Sequence, residues 1–367
     1  MTRPVLRLIA DDLTGALDSA AELTGLCGAV PVRWHDVAPT GSVAIDAGTR
    51  EASRDAAVAR LRTVAPALRG GDIAFKKIDS LLRGHVAAEL AACMAAAPWR
   101  HVVLAPAFPA QGRIMRGGRV LARQSDASFA PVAPDLATLL TVEGLQVLRG
   151  DPFAPLPPGL AVFDADQDAD LARIVDLGRR ADGPVLWCGS GGLARALAGT
   201  SAASVDTALR GPVLGLFGSD QVATARQLAA CGASSIAIGA GDDTAAVACR
   251  LDTIGAAMVR VLLPDGLDRA EAARRIAATL AGLTRRLPRP GTLVAAGGET
   301  LRAICDALGA GGLDAVGIVQ PGVPRSVMRG GAWDGVPVVS KSGAFGGDAL
   351  WRDLLTDSLP TFRSIPA

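Results

Sequence analysis

Histidine is scarce in this chain, with three among 367 residues, and the six cysteines (Cys27, Cys93, Cys188, Cys231, Cys249, Cys305) show no C-x-x-C spacing. Neither a zinc site nor a disulfide framework is indicated, and the thiols read as buried side chains in a reducing compartment. An excess of one charge is also missing, since 37 basic residues against 36 acidic ones leave a net +1. That balance removes any composition-level argument for nucleic acid or an anionic membrane surface as a partner. No run reaches membrane-spanning length, and the apolar stretch within Met1 to Ala10 is too short for a signal peptide. A cytoplasmic location is the default expectation. The phosphate signatures G-x-x-x-x-G-K-[ST] and G-x-G-x-x-G with a downstream acidic residue are absent too, which disfavours ordinary P-loop and dinucleotide sites.

What the chain does have is apolar residues, 50% of the total, enough to bury a core in each of two domains. Apolar runs of strand length alternate with helix-length segments from the start, the pattern of mostly parallel α/β sheets. Strands are expected at Val5–Ala10, Val30–Trp34, Val43–Asp46, Asp72–Phe75, His101–Ala105, Ala161–Asp164 and Val185–Cys188. Helices are expected at Leu17–Leu26, Ala52–Leu68, His85–Ala97 and Asp168–Arg180. The Pro/Gly-rich stretch Pro106 to Arg119 reads as an irregular loop carrying Gln111 and Arg113 to the same sheet edge. Residues 126 to 158 read as loops with one short helix and one strand. Small polar residues from Thr200 to Arg210 suggest a linker. A second alternating series follows, with strands at Val213–Phe217, Ser235–Ile238, Met258–Leu263, Thr292–Ala296 and Val336–Ser340.

Polar residues cluster where strands end. The densest stretch is Lys76-Lys77-Ile78-Asp79-Ser80-Leu81-Leu82-Arg83, between an apolar run and a helical one. Strand-to-helix junctions of an open α/β sheet lie at the carboxyl edge, where ligands bind and helix-start amides favour anions. The first strand delivers Asp11-Asp12, and two adjacent carboxylates are tolerable where a cation, a hydroxyl or a basic cluster faces them. A helix cap and a solvated side chain is the structural alternative. Arg50 follows the third strand and could clamp a carboxylate, or pair with Glu51 or Asp55 on the surface. In the second half, Gly297-Gly298-Glu299-Thr300 and Gly343-Ala344-Phe345-Gly346 each follow a strand and precede a helix, and Ser219 ends another strand. Glycines let phosphate approach bare backbone.

Taken in order, Ala10-Asp-Asp-Leu-Thr-Gly-Ala16, Lys76-Lys-Ile-Asp-Ser-Leu-Leu-Arg-Gly84, Pro106-Ala-Phe-Pro with Gly112-Arg113, Gly297-Gly-Glu-Thr300 and Lys341-Ser-Gly-Ala-Phe-Gly346 resemble the motif series of the four-carbon acid sugar kinases. The resemblance covers nearly the whole chain. It implies two α/β domains with mostly parallel sheets and a ligand cleft between them: residues 1–200 binding a sugar acid such as threonate, erythronate or an oxo-tetronate, and residues 211–367 binding ATP. Phosphorylation of the terminal hydroxyl is the implied reaction. The sugar acid is expected against Asp12, Arg50, Lys76, Lys77, Ile78, Asp79, Ser80 and Arg83. Nucleotide is expected against Ser219, Gly297, Gly298, Glu299, Thr300, Gly343 and Gly346, with Mg²⁺ arriving as the nucleotide complex and no protein ligand to it identified.

Phosphoryl transfer needs positioning, charge neutralisation and an acceptor for the hydroxyl proton. Asp12 and Asp79 are the candidate catalytic carboxylates, with Asp12 preferred because Asp11 beside it would raise its proton affinity. Small molecules are the expected partners, and the sequence leaves a homo-oligomer open. Leu81, His85, Ala344 and Asp220 depart from the family pattern. They leave two other readings standing, a non-catalytic sugar-acid or nucleotide sensor with the same fold and a kinase for a different hydroxy acid.

Overall fold

Strand and helix alternate through the computed structural model, which describes residues 2–35, 39–132, 135–201, 205–239 and 243–359. Contacts divide the chain between residues 203 and 204 into two units. Residues 202–204 of the expected linker lie outside the described residues.

In the first unit, β1 (Leu6–Ala10), β2 (Val30–Arg33), β3 (Val43–Asp46), β4 (Ile73–Lys77) and β5 (His101–Ala105) are followed by a small antiparallel sheet, β6 (Arg113–Arg116), β7 (Arg119–Arg123) and β8 (Phe129–Pro131). Then come β9 (Val147–Arg149), β10 (Gly159–Val162) and β11 (Val185–Gly189). Eight of these strands pair in parallel in the order β2-β3-β1-β4-β11-β5-β10-β9. Every residue of β1, β3 and β5 is buried, with no alternation, because parallel strands are covered by helices on both faces. Lys76 and Lys77 show this directly, since neighbours in a strand point to opposite faces. Lys76 reaches Glu89 of the helix Val86–Ala95, while Lys77 lies over Gly15 of the helix Leu13–Glu22.

The second unit comprises β12 (Val213–Phe217), β13 (Ser235–Ile238), β14 (Ala256–Val261), β15 (Thr292–Ala296), β16 (Gly312–Gln320), β17 (Val323–Arg329) and β18 (Pro337–Lys341), in the order β13-β14-β12-β15-β18-β17-β16. The first five strands of that order run parallel, and β17 and β16 are antiparallel. Phe217 and Trp351, with ring centroids 6.0 Å apart, anchor a core that includes Met258, Val294 and Val339.

Several expectations are corrected. The first helix begins at Leu13, four residues earlier than periodicity suggested, because Asp12 caps it by accepting from Gly15 N at 2.9 Å. Lys76 and Lys77 belong to β4, not to the turn beyond it. Gly112 takes φ +66°, and the stretch read as an irregular loop turns into the β6–β7 hairpin. The β16–β17 hairpin was missed. Five cysteines are buried, but Cys249 is exposed.

The helix Leu13–Glu22 is buried along its whole length, including two carboxylates one turn apart, Asp18 and Glu22. Both Glu22 oxygens and Asp18 Oδ1 are buried without a hydrogen-bond partner. Burial, and then the charge of Asp18, pushes Glu22 up to about 8 from 4.5, and burial raises Asp18 to about 6 against the opposing charge of Lys77. Folded Glu22 therefore keeps a proton that the unfolded chain releases, so stability falls as pH rises from 4.5 to about 8. Glu22→Gln is expected to be more stable than the parent by about 1–3 kcal/mol at pH 9, with little difference at pH 4.5. Urea unfolding at the two pH values checks it, and an equal difference at both would show that Glu22 ionisation is not coupled to folding.

Candidate active site

The carboxyl ends of β1, β3 and β4 lie side by side, since Ala10 pairs with Asp46 and Ile9 with Lys76. Whatever follows these strands is therefore brought together. Arg50, after β3, sets its guanidinium against both carboxylates that follow β1: Nε to Asp11 Oδ2 at 2.7 Å, Nη2 to Asp11 Oδ1 at 2.9 Å and Nη1 to Asp12 Oδ2 at 2.6 Å. Asp79, after β4, approaches the same guanidinium at 3.5 Å. The cation that adjacent carboxylates require is thus Arg50, and the surface pairing with Glu51 or Asp55 does not form. Burial works against the Arg50 charge, but Asp12, Asp11 and Asp79 outweigh it and raise its proton affinity further. Burial would likewise raise Asp11, yet Arg50, Lys76 and Lys77 prevail and hold it below the usual carboxylate range.

Asp79 has the richest set of donors. Its Oδ1 accepts from Leu81 N at 2.9 Å and Arg83 Nε at 3.0 Å, and its Oδ2 from Arg83 Nη2 at 2.7 Å. Burial opposes ionisation there, but the Arg83 hydrogen bonds and the charges of Arg50, Arg83 and Lys77 keep Asp79 far below the usual range. The turn it organises places Leu82 at φ +59°, a region that residues with a Cβ seldom occupy, and buries the Leu82 side chain. His85 Nε2 donates to Ala52 O at 2.7 Å and ties this turn to the Arg50 loop.

The two lysines of the stretch part company. Lys76 is fully buried and bonded to Glu89 Oε2 at 2.6 Å, and Glu89 Oε1 also accepts from Thr49 Oγ1 at 2.6 Å. Burial disfavours that ammonium, but Glu89 more than restores its proton affinity. Lys77 Nζ donates to Ile78 O at 3.0 Å and would lie 2.9 Å from a Cβ at Gly15, beside Asp12. The structure therefore gathers Asp11, Asp12, Arg50, Lys77, Asp79 and Arg83, while Ile78 and Ser80 are buried in the same stretch and Lys76 lies on the other face of the strand. Arg113, on β6, feels the charges of Asp79 and Arg83, and its Nε is buried without a partner. Sequence reasoning brought Arg113 to this edge but gave it no role. The missing signal was that Arg50 would be consumed by three carboxylates.

In the second unit, β12, β15 and β18 end together: Phe217 pairs with Ala296, and Ala296 with Lys341. Gly297 takes φ +106°, and the helix Gly298–Ala307 starts immediately after it, so Gly298, Glu299 and Thr300 supply first-turn amides. Side chains crowd closely here. A methyl on Gly218 would overlap the Thr300 hydroxyl, and one on Gly343 would overlap the Ser219 hydroxyl. Glu299 is exposed, Thr300 and Gly343 are buried, and Gly346 takes φ +83°. Lys341, at the end of β18, is fully buried and was given no role of its own by sequence reasoning; desolvation lowers it to about 7.

Two families of domains match the chain, a sugar-binding N-terminal domain over residues 6–143 and a nucleotide-binding C-terminal domain over residues 202–350. A D-threonate kinase from Cupriavidus necator is 35% identical over 94% of this chain and 96% of its own length. The chain belongs to the four-carbon acid sugar kinase family. Other members of this kinase family reach further in named substrate: a 3-oxo-tetronate kinase from Methylobacterium radiotolerans is 30% identical over 93% of this chain and 96% of its own length. The fold is shared with a solved structure from Salmonella typhimurium, with a TM-score of 0.73 at 22% identity, covering 96% of this chain and 98% of that one. Among the described residues no helix is long and apolar enough to cross a membrane.

Removing one partner of a buried charge cluster strands the others, at a cost of about 3–5 kcal/mol. Arg50→Met is expected to lose stability on that scale at pH 7. Asp11 and Asp79 titrate below their unfolded value, so the stability they supply is present above about pH 4 and lost as pH falls. The Arg50→Met deficit should therefore shrink at pH 3. Urea unfolding at both pH values checks it, and a deficit of the same size at pH 3 would detach Arg50 from the carboxylates.

Proposed function

We propose that the chain is an ATP-dependent kinase that phosphorylates the terminal hydroxyl of a four-carbon sugar acid, with threonate, erythronate and oxo-tetronates as the candidate acceptors. The observation that carries this reading is the charged cluster of the first unit in a chain related over almost its full length to kinases of such acids. A small polyhydroxy acid needs both donors for its carboxylate and acceptors for its hydroxyls. Lys77, Arg83 and Arg113 provide the former, and Asp12 and Asp79 the latter. Arg50, engaged by three carboxylates, aligns the acceptors and adds positive potential, and Lys76 fixes β4 from behind.

Asp12 is the proposed acid–base residue. Its side chain is 17% exposed, against 4% for Asp11 and 8% for Asp79, so it is the carboxylate of the three most open to a substrate hydroxyl. The reason given at the outset changes, because the Asp11 charge is neutralised by Arg50. Access now supports the choice. Asp79, saturated with donors, suits the role of fixed acceptor for substrate hydroxyls. Nucleotide is proposed against Ser219, the Gly297–Thr300 turn and Gly343 with Gly346, its phosphates on backbone amides. Mg²⁺ enters as part of the MgATP substrate and neutralises phosphate charge.

ADP release measured over a panel of C3 to C6 hydroxy and oxo acids tests the reading. Turnover is expected with four-carbon acids, and ligand binding without turnover on any of them would favour a sensor. Asp12→Asn should lose kcat by about 100-fold or more while binding ATP normally, whereas Asp79→Asn should mainly raise KM for the acid. A nearly normal kcat for Asp12→Asn removes it as the base. Arg113→Met should raise KM for the acid about tenfold or more, the scale of a lost charged hydrogen bond, and leave KM for ATP unchanged. Steady-state kinetics decide it, and an unchanged KM for the acid would exclude Arg113 from the carboxylate site.

A further inference from the structure

The loop after β18 has its carbonyl oxygens collected by one buried set of donors. Lys341 Nζ donates to Ser342 O at 3.1 Å and to Gly343 O at 3.0 Å, and Thr224 Oγ1 donates to Gly343 O at 2.9 Å. Gln227 Nε2 lies 3.1 Å from each of the carbonyls of Phe345, Gly346 and Gly347. Lys341 and Gln227 are 0% exposed and Thr224 is 1% exposed. In a trans peptide the C=O of one residue and the N–H of the next point in opposite directions. Drawing the oxygens of residues 342, 343, 345, 346 and 347 inward therefore turns outward the N–H groups of the residues that follow them. In agreement, the N–H groups of Gly343, Ala344, Gly346 and Gly347 form no hydrogen bond to any described residue. Successive outward amides make an anion-binding concavity.

We propose that Gln227, together with Thr224 and Lys341, is a positioning residue for the nucleotide. By holding five carbonyls inward the three side chains present the amides of Gly343, Ala344, Gly346 and Gly347 to the polyphosphate. This rests on the reading that the Gly343–Gly346 loop takes the nucleotide. Gln227 is the member whose chemistry is least replaceable, because a single amide nitrogen serves three carbonyls while its Oε1 is buried without a partner. An oxygen in place of that nitrogen would face three oxygens.

The test uses Gln227→Met, Gln227→Glu and Thr224→Val in the full chain, with Gly346→Val as the control for the loop itself. Gln227→Met should raise KM for ATP about tenfold and Gln227→Glu about a hundredfold, the scale of one and two lost hydrogen bonds to a charged ligand. KM for the acid should stay near the parent value, while Tm falls as the buried carbonyls lose their donor. The order matters, because glutamate matches glutamine in shape better than methionine does, so a purely steric role predicts the reverse. Should the Gln227 variants not fold, Thr224→Val must show the same selective rise in KM for ATP, and no rise overturns the proposal. An unchanged KM for ATP in folded Gln227 variants, with ATP binding abolished by Gly346→Val, overturns the positioning role and keeps the loop as the nucleotide site. ATP binding unchanged in Gly346→Val overturns the loop reading itself. A rise in both KM values would show a general structural role and also overturn the proposal.

Discussion

The guanidinium of Arg50 is the constraint on which the first unit's site depends. Three carboxylates, delivered by the ends of β1 and β4, converge on a buried spot that would repel them all. A planar cation with a fixed fork of donors satisfies two of them at once, which a lysine could not do with the same geometry. Asp11 spends its charge on this bond and becomes scaffolding. Asp12 and Asp79, held in place by the same cation, keep the orientation that a hydroxylated ligand needs. Lys77 and Arg113 make no ion pair among the described residues, and on the proposed reading they, with Arg83 on Asp79, set the sign of the site toward an acid.

The second unit works by a different chemistry. Ser219, the Gly297 turn and the Gly343–Gly346 loop offer bare backbone instead of charged side chains, and close approach is enforced where a Cβ at Gly218 or Gly343 would collide with a neighbouring hydroxyl. Backbone amides bind phosphate oxygens wherever their partner carbonyls are occupied elsewhere. On the proposed reading, a chain with neither ordinary nucleotide signature would hold phosphate on backbone amides, in loops that each follow the carboxyl end of a parallel strand.

Much of this was legible in the sequence because parallel strands buried on both faces read as uninterrupted apolar runs. β1, β3, β5, β12 and β15 fall within about one residue of where those runs stand. Helix starts were less legible. Leu13–Asp18 carries glycine, threonine and aspartate, which depress helix propensity, and only the Asp12 cap and tertiary burial make it helical. The lysines of β4 were assigned to a turn because buried charge in a strand is unexpected without knowing its partner, and Glu89 lies too far along the chain to be paired by spacing. The hairpins β6–β7 and β16–β17 were hidden by glycine and proline, whose turn signals also suit loops. Site composition was visible as polar residues at strand ends. What was not visible was who pairs with whom, so Arg50 read as a free clamp and Arg113 and Gln227 went without roles.

The central claim is transfer of the γ-phosphoryl group of ATP to the terminal hydroxyl of a four-carbon sugar acid. Proton-coupled ³¹P NMR of the product made from ATP and D-threonate, D-erythronate or an oxo-tetronate examines it most directly. The account predicts, for at least one of these acids, a phosphomonoester split by the two protons of a terminal CH₂ and formed in equal amount with ADP. An acyl phosphate, a doublet from a secondary alcohol, or no phosphorus transfer to any of these acids would contradict it.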